Sequence, residues 1–186
     1  ELKQLGEQVI DLEGLAHHKG SAFGSLGEDP QPSSQQFENR LFDYWRHLNL
    51  NRTVWLEDES ACIGRVHIPK VLFAQMRANQ LYFIDIPKEE RAKLLVTEYA
   101  CFDNNHLAKS INGIAKRIGG QNVKAALEAL DAHNYLEVAM ITLQYYDKAY
   151  LNGVQKREEE MVQRISLSSV NHIENAKQLL EITKNR

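Results

Sequence analysis

The chain reads as an α/β protein, because short β-rich apolar runs alternate with segments of helical period, and one long stretch between them is helical throughout. The fold this predicts is a three-layer, mostly parallel sheet with right-handed crossovers and an α-helical insertion. The divisions are an α/β part over 1–103, the helical insertion over 104–152, and a final strand and helix over 153–186.

A length of 186 residues with 43% hydrophobic residues supplies one core of ordinary size. The formal net charge of -3 excludes a grossly basic nucleic-acid binder, so any nucleic-acid contact must come from a local basic face. Cys62 and Cys101 are too far apart to form a CxxC pair, and no Cys/His cluster has metal-ligand spacing. A reduced, cytoplasmic setting is the reading that follows. No apolar run has the length of a membrane span, so no membrane partner is expected. The sequence contains no internal repeat and no low-complexity segment.

Residues 1–6 read as the end of a helix with Gly6 as its C-cap, entering a strand over 9–12. Beyond that strand lies a glycine-rich segment without periodicity that holds His17, His18, Lys19, Gly20, Ser21, Phe23 and Gly24. Ligands of open α/β sheets bind beyond the carboxyl ends of strands. Lys19, Gly20 and Ser21 offer an ammonium, free N–H groups and a hydroxyl to an anion, against the plainer reading of a surface loop. Ser33 and Gln36 have capping-box spacing, and Phe37, Leu41, Tyr44 or Trp45, and Leu48 recur at the helical period. This predicts a helix over 34–48 with the stripe in the core, base stacking by Trp45 being the alternative.

Residues 53–57 form a β-branched and aromatic run that delivers Asp58 and Glu59. Carboxylates at such a strand end either hold a hydrated Mg²⁺ beside phosphates or merely solvate the strand. An extended segment over 63–68 presents Arg65 and His67. Arg65 is the preferred anion ligand outside the glycine loop, or else a salt-bridge partner for Asp58 or Glu59. Pro69 opens a short helix with Val71, Leu72, Phe73 and Met76 inward. Continuous apolar character predicts a fully buried strand over 81–86. The helix after Pro87 points Ala92, Leu95, Tyr99 and Phe102 inward and sets Arg91 in its first turn, against the dipole. Arg91 therefore calls for an acceptor, either a ligand phosphate or a plain carboxylate.

One helix is expected through Leu107, Ile111, Ile114, Ala115 and Ile118, with Lys109, Lys116 and Arg117 on its polar face. Gly119 and Gly120 end it, and Gln121 or Asn122 opens the next. Lys116 and Arg117 beside that turn suit a phosphate, or a solvated basic face. The helix over 135–150 ends in Tyr145 and Tyr146, which either stack on bases or lock the helix end by packing. The charged run 156–160 reads as a solvated turn, 161–167 as the last strand and 171–182 as the closing helix.

The stretch LEGLAHHKGSAFGSLG, the Gln-Pro-Ser run before Phe37, the segment from Ile63 to Pro69, KRIGG, and the Tyr145-Tyr146-Asp147 signature with Tyr150 resemble the C-terminal P-loop domain of the bacterial tRNA 2-selenouridine synthase family, which also forms geranyl-2-thiouridine. The resemblance is dense from Val9 to Tyr150. It implies a P-loop-NTPase-like sheet, here incomplete, since neither a G-x-x-x-x-G-K-[ST] loop nor a rhodanese-type cysteine occurs. A basic residue is expected in the family where this chain has Cys62. The implied activity replaces the sulfur of wobble 2-thiouridine in tRNA with selenium, using selenophosphate by way of a geranylated intermediate made from geranyl diphosphate. The implied partners are tRNA, these small phosphate donors and an N-terminal rhodanese domain of the same protein. No bound organic cofactor is implied, and Mg²⁺ at Asp58 and Glu59 is the one metal to consider. The chain reads as the enzyme's last part, inactive alone. The competing readings are a nucleotide-kinase-like P-loop protein and a non-catalytic tRNA-binding module.

Overall fold

The structure is a computed structural model that describes residues 1–184; the last two positions of the 153–186 segment lie outside the described residues. The chain is α/β and divides into two compact units, residues 1–79 with 171–186, and residues 80–170.

In the first unit, residues 1–6 form turns rather than a helix end, with Gly6 in left-handed backbone at φ +87°. Strand β1 (Gln8–Val9) lies parallel to β2 (Val54–Trp55), and the ladder gains one bond beyond it, from Ile10 N–H to the Trp55 carbonyl at 3.0 Å. The first strand stops short of Leu12 because Asp11 is an N-cap: its carboxylate accepts the Gly14 N–H and starts α1 (Leu12–Ala16). A five-residue helix thus opens the segment that has no sequence period, being too short to show one. Ser33 caps α2 (Ser34–Trp45) through the Gln36 N–H at 3.2 Å, as the capping-box spacing predicts.

Phe37 and Leu41 are buried and Leu48 packs partly buried against the same core, but Tyr44 and Trp45 are exposed, so the stripe is interrupted at the aromatic pair. Antiparallel β3 (Cys62–Ile63) and β4 (Val66–His67) make a hairpin whose turn needs Gly64 at φ +58°. Helix α3 (Lys70–Ala78) buries Leu72. Ile10, Leu12, Phe37, Ile63, Val66 and Leu72 belong to one apolar core. Fully burying a side chain the size of Phe37 contributes about 1.5–3 kcal/mol.

In the second unit, β5 (Leu81–Asp85) runs parallel to β6 (Val162–Ser166), with Phe83 opposite Arg164, whose guanidinium lies 5.2 Å from the ring centroid. β5 is half-buried instead of fully buried, because β6 is its one strand neighbour among the described residues and Ile84 and Asp85 reach solvent. The helices are α4 (Lys88–Tyr99), α5 (Asn104–Gly113), α6 (Ala115–Ile118), α7 (Gly120–Asp131) and α8 (Tyr135–Val154). The helix expected through Ile118 breaks at Ile114, and α8 continues one turn past Tyr150. Ala92 of α4 packs on Ala139 and Leu143 of α8. Tyr135 donates to Asn104 Oδ1 at 3.2 Å, and Asn104 Nδ2 donates to the Leu130 carbonyl at 3.2 Å, joining three helix ends.

The closing helix α9 (His172–Lys184) belongs to the first unit and buries Ala176, Leu179 and Leu180. The hydrogen-bonded ladders are three two-stranded sheets, two parallel and one antiparallel, so among the described residues the strands do not join in one continuous sheet.

Candidate functional site

In the first unit the parallel β1 and β2 bring two sets of carboxylates to their C-terminal ends. Glu57 and Glu59 both lie close to Glu13 of α1. Leu12 N–H donates to Glu57 Oε2 at 2.9 Å, and the Glu59 N–H donates to the Glu57 carbonyl at 3.0 Å across a γ-type turn. Glu57 also meets the Asp11 carboxyl, and Glu59 meets the Glu13 carboxyl. Burial, and then the hydrogen bond to Glu59, push the Glu13 carboxyl up to about 8; burial raises Glu57 and Glu59 as well. Glu13 and Glu59 titrate as one unit, Glu13 holding the proton that Glu59 accepts. Asp58 faces Arg77 instead, at 3.3 Å. With Asp58 against a guanidinium and Glu59 turned onto a protonated carboxyl, this pair does not fit a divalent cation. Among the described residues no group of three or more His, Cys, Asp or Glu side chains is placed to hold a metal.

The glycine-rich loop is folded over these carboxyls. His17 ends α1 in left-handed backbone, φ +50°, and its ring bridges Pro30 O at 3.2 Å through Nδ1 and Arg40 Nη1 at 3.0 Å through Nε2. His18 buries its Nδ1 without a hydrogen-bond partner, and burial lowers its pKa against the opposing charge of Glu28. Lys19 N–H donates to the Gly24 carbonyl at 2.9 Å, and the Ser21 hydroxyl accepts the Phe23 N–H at 3.2 Å. Gly20 is at φ +66°, where a Cβ would lie 2.5 Å from Glu59 Oε1. The positive φ favours glycine there, and a Cβ would also push the end of the Glu59 side chain aside.

Arg65 and His67 are not brought to the loop's anion-facing groups. The Arg65 guanidinium donates to the Gln31 carbonyl at 2.6 Å, so neither predicted partner, Asp58 or Glu59, holds it. Gln31 is the organiser of this corner: its Nε2 donates to the Ala16 and Ile63 carbonyls, each at 3.0 Å, and its Oε1 accepts the Arg65 N–H at 3.0 Å. His67 is exposed and registers opposite Cys62 in the hairpin.

In the second unit Arg91 forms a bidentate pair with Asp147, at 2.6 and 3.2 Å, and its Nε donates to the Ile86 carbonyl at 2.9 Å. The acceptor that its place in the first turn demands is therefore a carboxylate of the protein. Arg117 and Tyr145 come together: Nη1 lies 3.0 Å from the hydroxyl, the guanidinium is 5.8 Å from the ring centroid, and Tyr146 packs against Tyr145 at 5.0 Å. Lys109 and Lys116 are exposed. Sequence reasoning gave no site role to Asp11, Glu13, Gln31, Arg40 or Asp147.

No described helix is long and apolar enough to cross a membrane, and both cysteines are free and exposed. No solved structure matches the chain. A tRNA 2-selenouridine synthase from Shewanella sediminis is 32% identical over 186 aligned positions, which cover 83% of this chain and 50% of that protein. One from Shewanella loihica is 34% identical, covering 84% and 50%. One from Hydrogenovibrio crunogenus is 32% identical, covering 82% and 48%. The chain spans about half the length of these curated relatives. The family model for the tRNA 2-selenouridine synthase AAA domain matches residues 1–180, and the chain belongs to that family.

Proposed function

We propose that the protein to which this chain belongs is a tRNA-modifying transferase that converts wobble 2-thiouridine to 2-selenouridine with selenophosphate, through a geranylated intermediate made from geranyl diphosphate. The observation that carries this reading is the family match over residues 1–180, supported by relatives named for the same synthesis. In this reading a rhodanese domain outside the chain supplies the catalytic cysteine, and the α/β part belongs to a P-loop-type sheet completed by a strand outside the chain, with helices 104–152 as an insertion.

Within the chain, tRNA contact falls to Lys109, Lys116, Arg117, Tyr145 and Tyr146. The Arg117–Tyr145 contact favours it, since an exposed guanidinium beside an aromatic pair offers both phosphate attraction and a stacking surface. Small phosphate donors fall to the first unit's loop, which carries Lys19 and packs Gly20 against the Glu59 carboxyl; the proton shared by Glu13 and Glu59 lowers the negative charge an arriving anion meets. The test is conversion of thiolated tRNA by the full-length protein, with geranyl diphosphate and selenophosphate added separately and together. Geranylated and then selenated nucleoside is the expected result; a folded protein that binds the tRNA and converts it with neither donor would overturn the reading.

A further inference from the structure

A cleft of about 520 Å³ in the first unit is lined by Lys3, Asp11, His17, Arg40, Asp43 and Tyr44, with Val9 and Leu15 as apolar walls. Arg40 is half-buried on α2, and its single hydrogen-bond partner among the described residues is His17 Nε2. The Pro30 carbonyl opposite Nδ1 can only accept, so the ring proton sits on Nδ1 and Nε2 turns a lone pair to the guanidinium. No described carboxylate lies within ion-pair distance of Arg40. The two acids in the cleft are engaged elsewhere: Asp11 Oδ1 accepts the Gly14 N–H at 2.6 Å, and Asp43 Oδ1 meets Arg46 Nε at 3.2 Å. Lys3 adds a second cation, its Nζ 5.9 Å from the Tyr44 ring centroid. A guanidinium partly withdrawn from water, fixed by a neutral ring and lacking a counter-charge, keeps a planar fork of N–H groups suited to two oxygens of one oxyanion.

We propose that Arg40, with His17 as its positioning residue and Lys3 beside it, is a binding site for a phosphate oxyanion, carried either by a small diphosphate or by a nucleic-acid backbone. The choice between these carriers rests on the tRNA-modifying reading above; the site itself does not. The test uses the full-length protein and titration calorimetry with inorganic diphosphate at fixed ionic strength, which needs no turnover and so stands apart from any failure of the selenation assay. Arg40→Gln is expected to weaken diphosphate at least tenfold, while Arg65→Gln stays within twofold. If diphosphate is unaffected or does not bind, but tRNA affinity falls at least threefold with a shallower salt dependence, the oxyanion is a backbone phosphate. Unchanged affinity for both ligands overturns the site. Should Arg40→Gln fail to fold, Lys3→Gln decides: a loss of threefold or more for either ligand supports the site, and no change overturns it.

Discussion

In the second unit the Arg91 guanidinium meets both oxygens of Asp147 and a backbone carbonyl; in the first, the Arg40 guanidinium meets one imidazole nitrogen. Both arginines are half-buried and both sit on the inner side of a helix. Their partners separate them. A fork filled by a carboxylate ties two helices together and has little left for a ligand, whereas a fork held by a neutral ring is oriented but still lacks a counter-charge. Arginines that look alike in a sequence therefore divide into structural and ligand-facing ones according to the charge of their neighbours.

The sharpest way to break this contrast is to remove Arg91. Arg91→Ala leaves Asp147 and the Ile86 carbonyl without their donor, and the expected loss is about 2–3 kcal/mol in urea unfolding, with diphosphate binding by the full-length protein unchanged. Arg40→Gln is expected to do the reverse, changing stability by less than about 0.5 kcal/mol, as is usual for a side chain without a charged partner. Equal stability losses in the two variants would erase the distinction.

Gly20→Ala comes next, with an expected cost of about 1–2 kcal/mol from positive φ and from contact with the Glu59 carboxyl. Its thermal unfolding should show this loss, and the double variant Gly20→Ala with Glu59→Ala should recover the steric part.

The Glu13–Glu59 pair gives a pH test with a definite sign. Glu13 keeps its proton in the folded state up to about 8, while an ordinary glutamate loses it near 4.5, so the folded chain binds more protons between those values. The contribution of Glu13 to stability is then fully present below about 4.5, declines as pH rises to about 8, and is gone above it. Screening at this partly exposed site limits the decline to about 1 kcal/mol. Glu13→Gln, which mimics the protonated form, is expected to flatten the profile of unfolding free energy against pH over that window. An unchanged slope would show that the proton is held elsewhere.

The smallest effect is expected on α2, where Phe42 is 65% exposed. Phe42→Ser should shift stability by no more than about 0.5 kcal/mol in the same unfolding assay.

Much of the element order was legible because period and punctuation agree: Ser33 caps the helix it predicts, and the β-rich runs at 53–57 and 161–167 both contain strands. The short α1 was hidden because five residues cannot display a 3.6-residue period. The exposure of Tyr44 and Trp45 was hidden because a stripe shows which residues share a face, not which of them a partner covers. At the site, the loop residues were visible from composition, but their partners were not. Gln31, Arg40 and Asp147 act through contacts with residues 15 to 56 positions away in sequence, and spacing along the chain carries no record of such pairings.

The first unit is assembled from residues 1–79 and the helix α9, with the whole second unit intervening in sequence. During vectorial synthesis residues 80–170 emerge as one uninterrupted stretch, whereas the first unit gains α9 only after them. The second unit is therefore free to fold first on the ribosome. The unit that holds the Arg40 cleft is thus built from two stretches of chain, and α9 can join it only after residues 80–170 have been made.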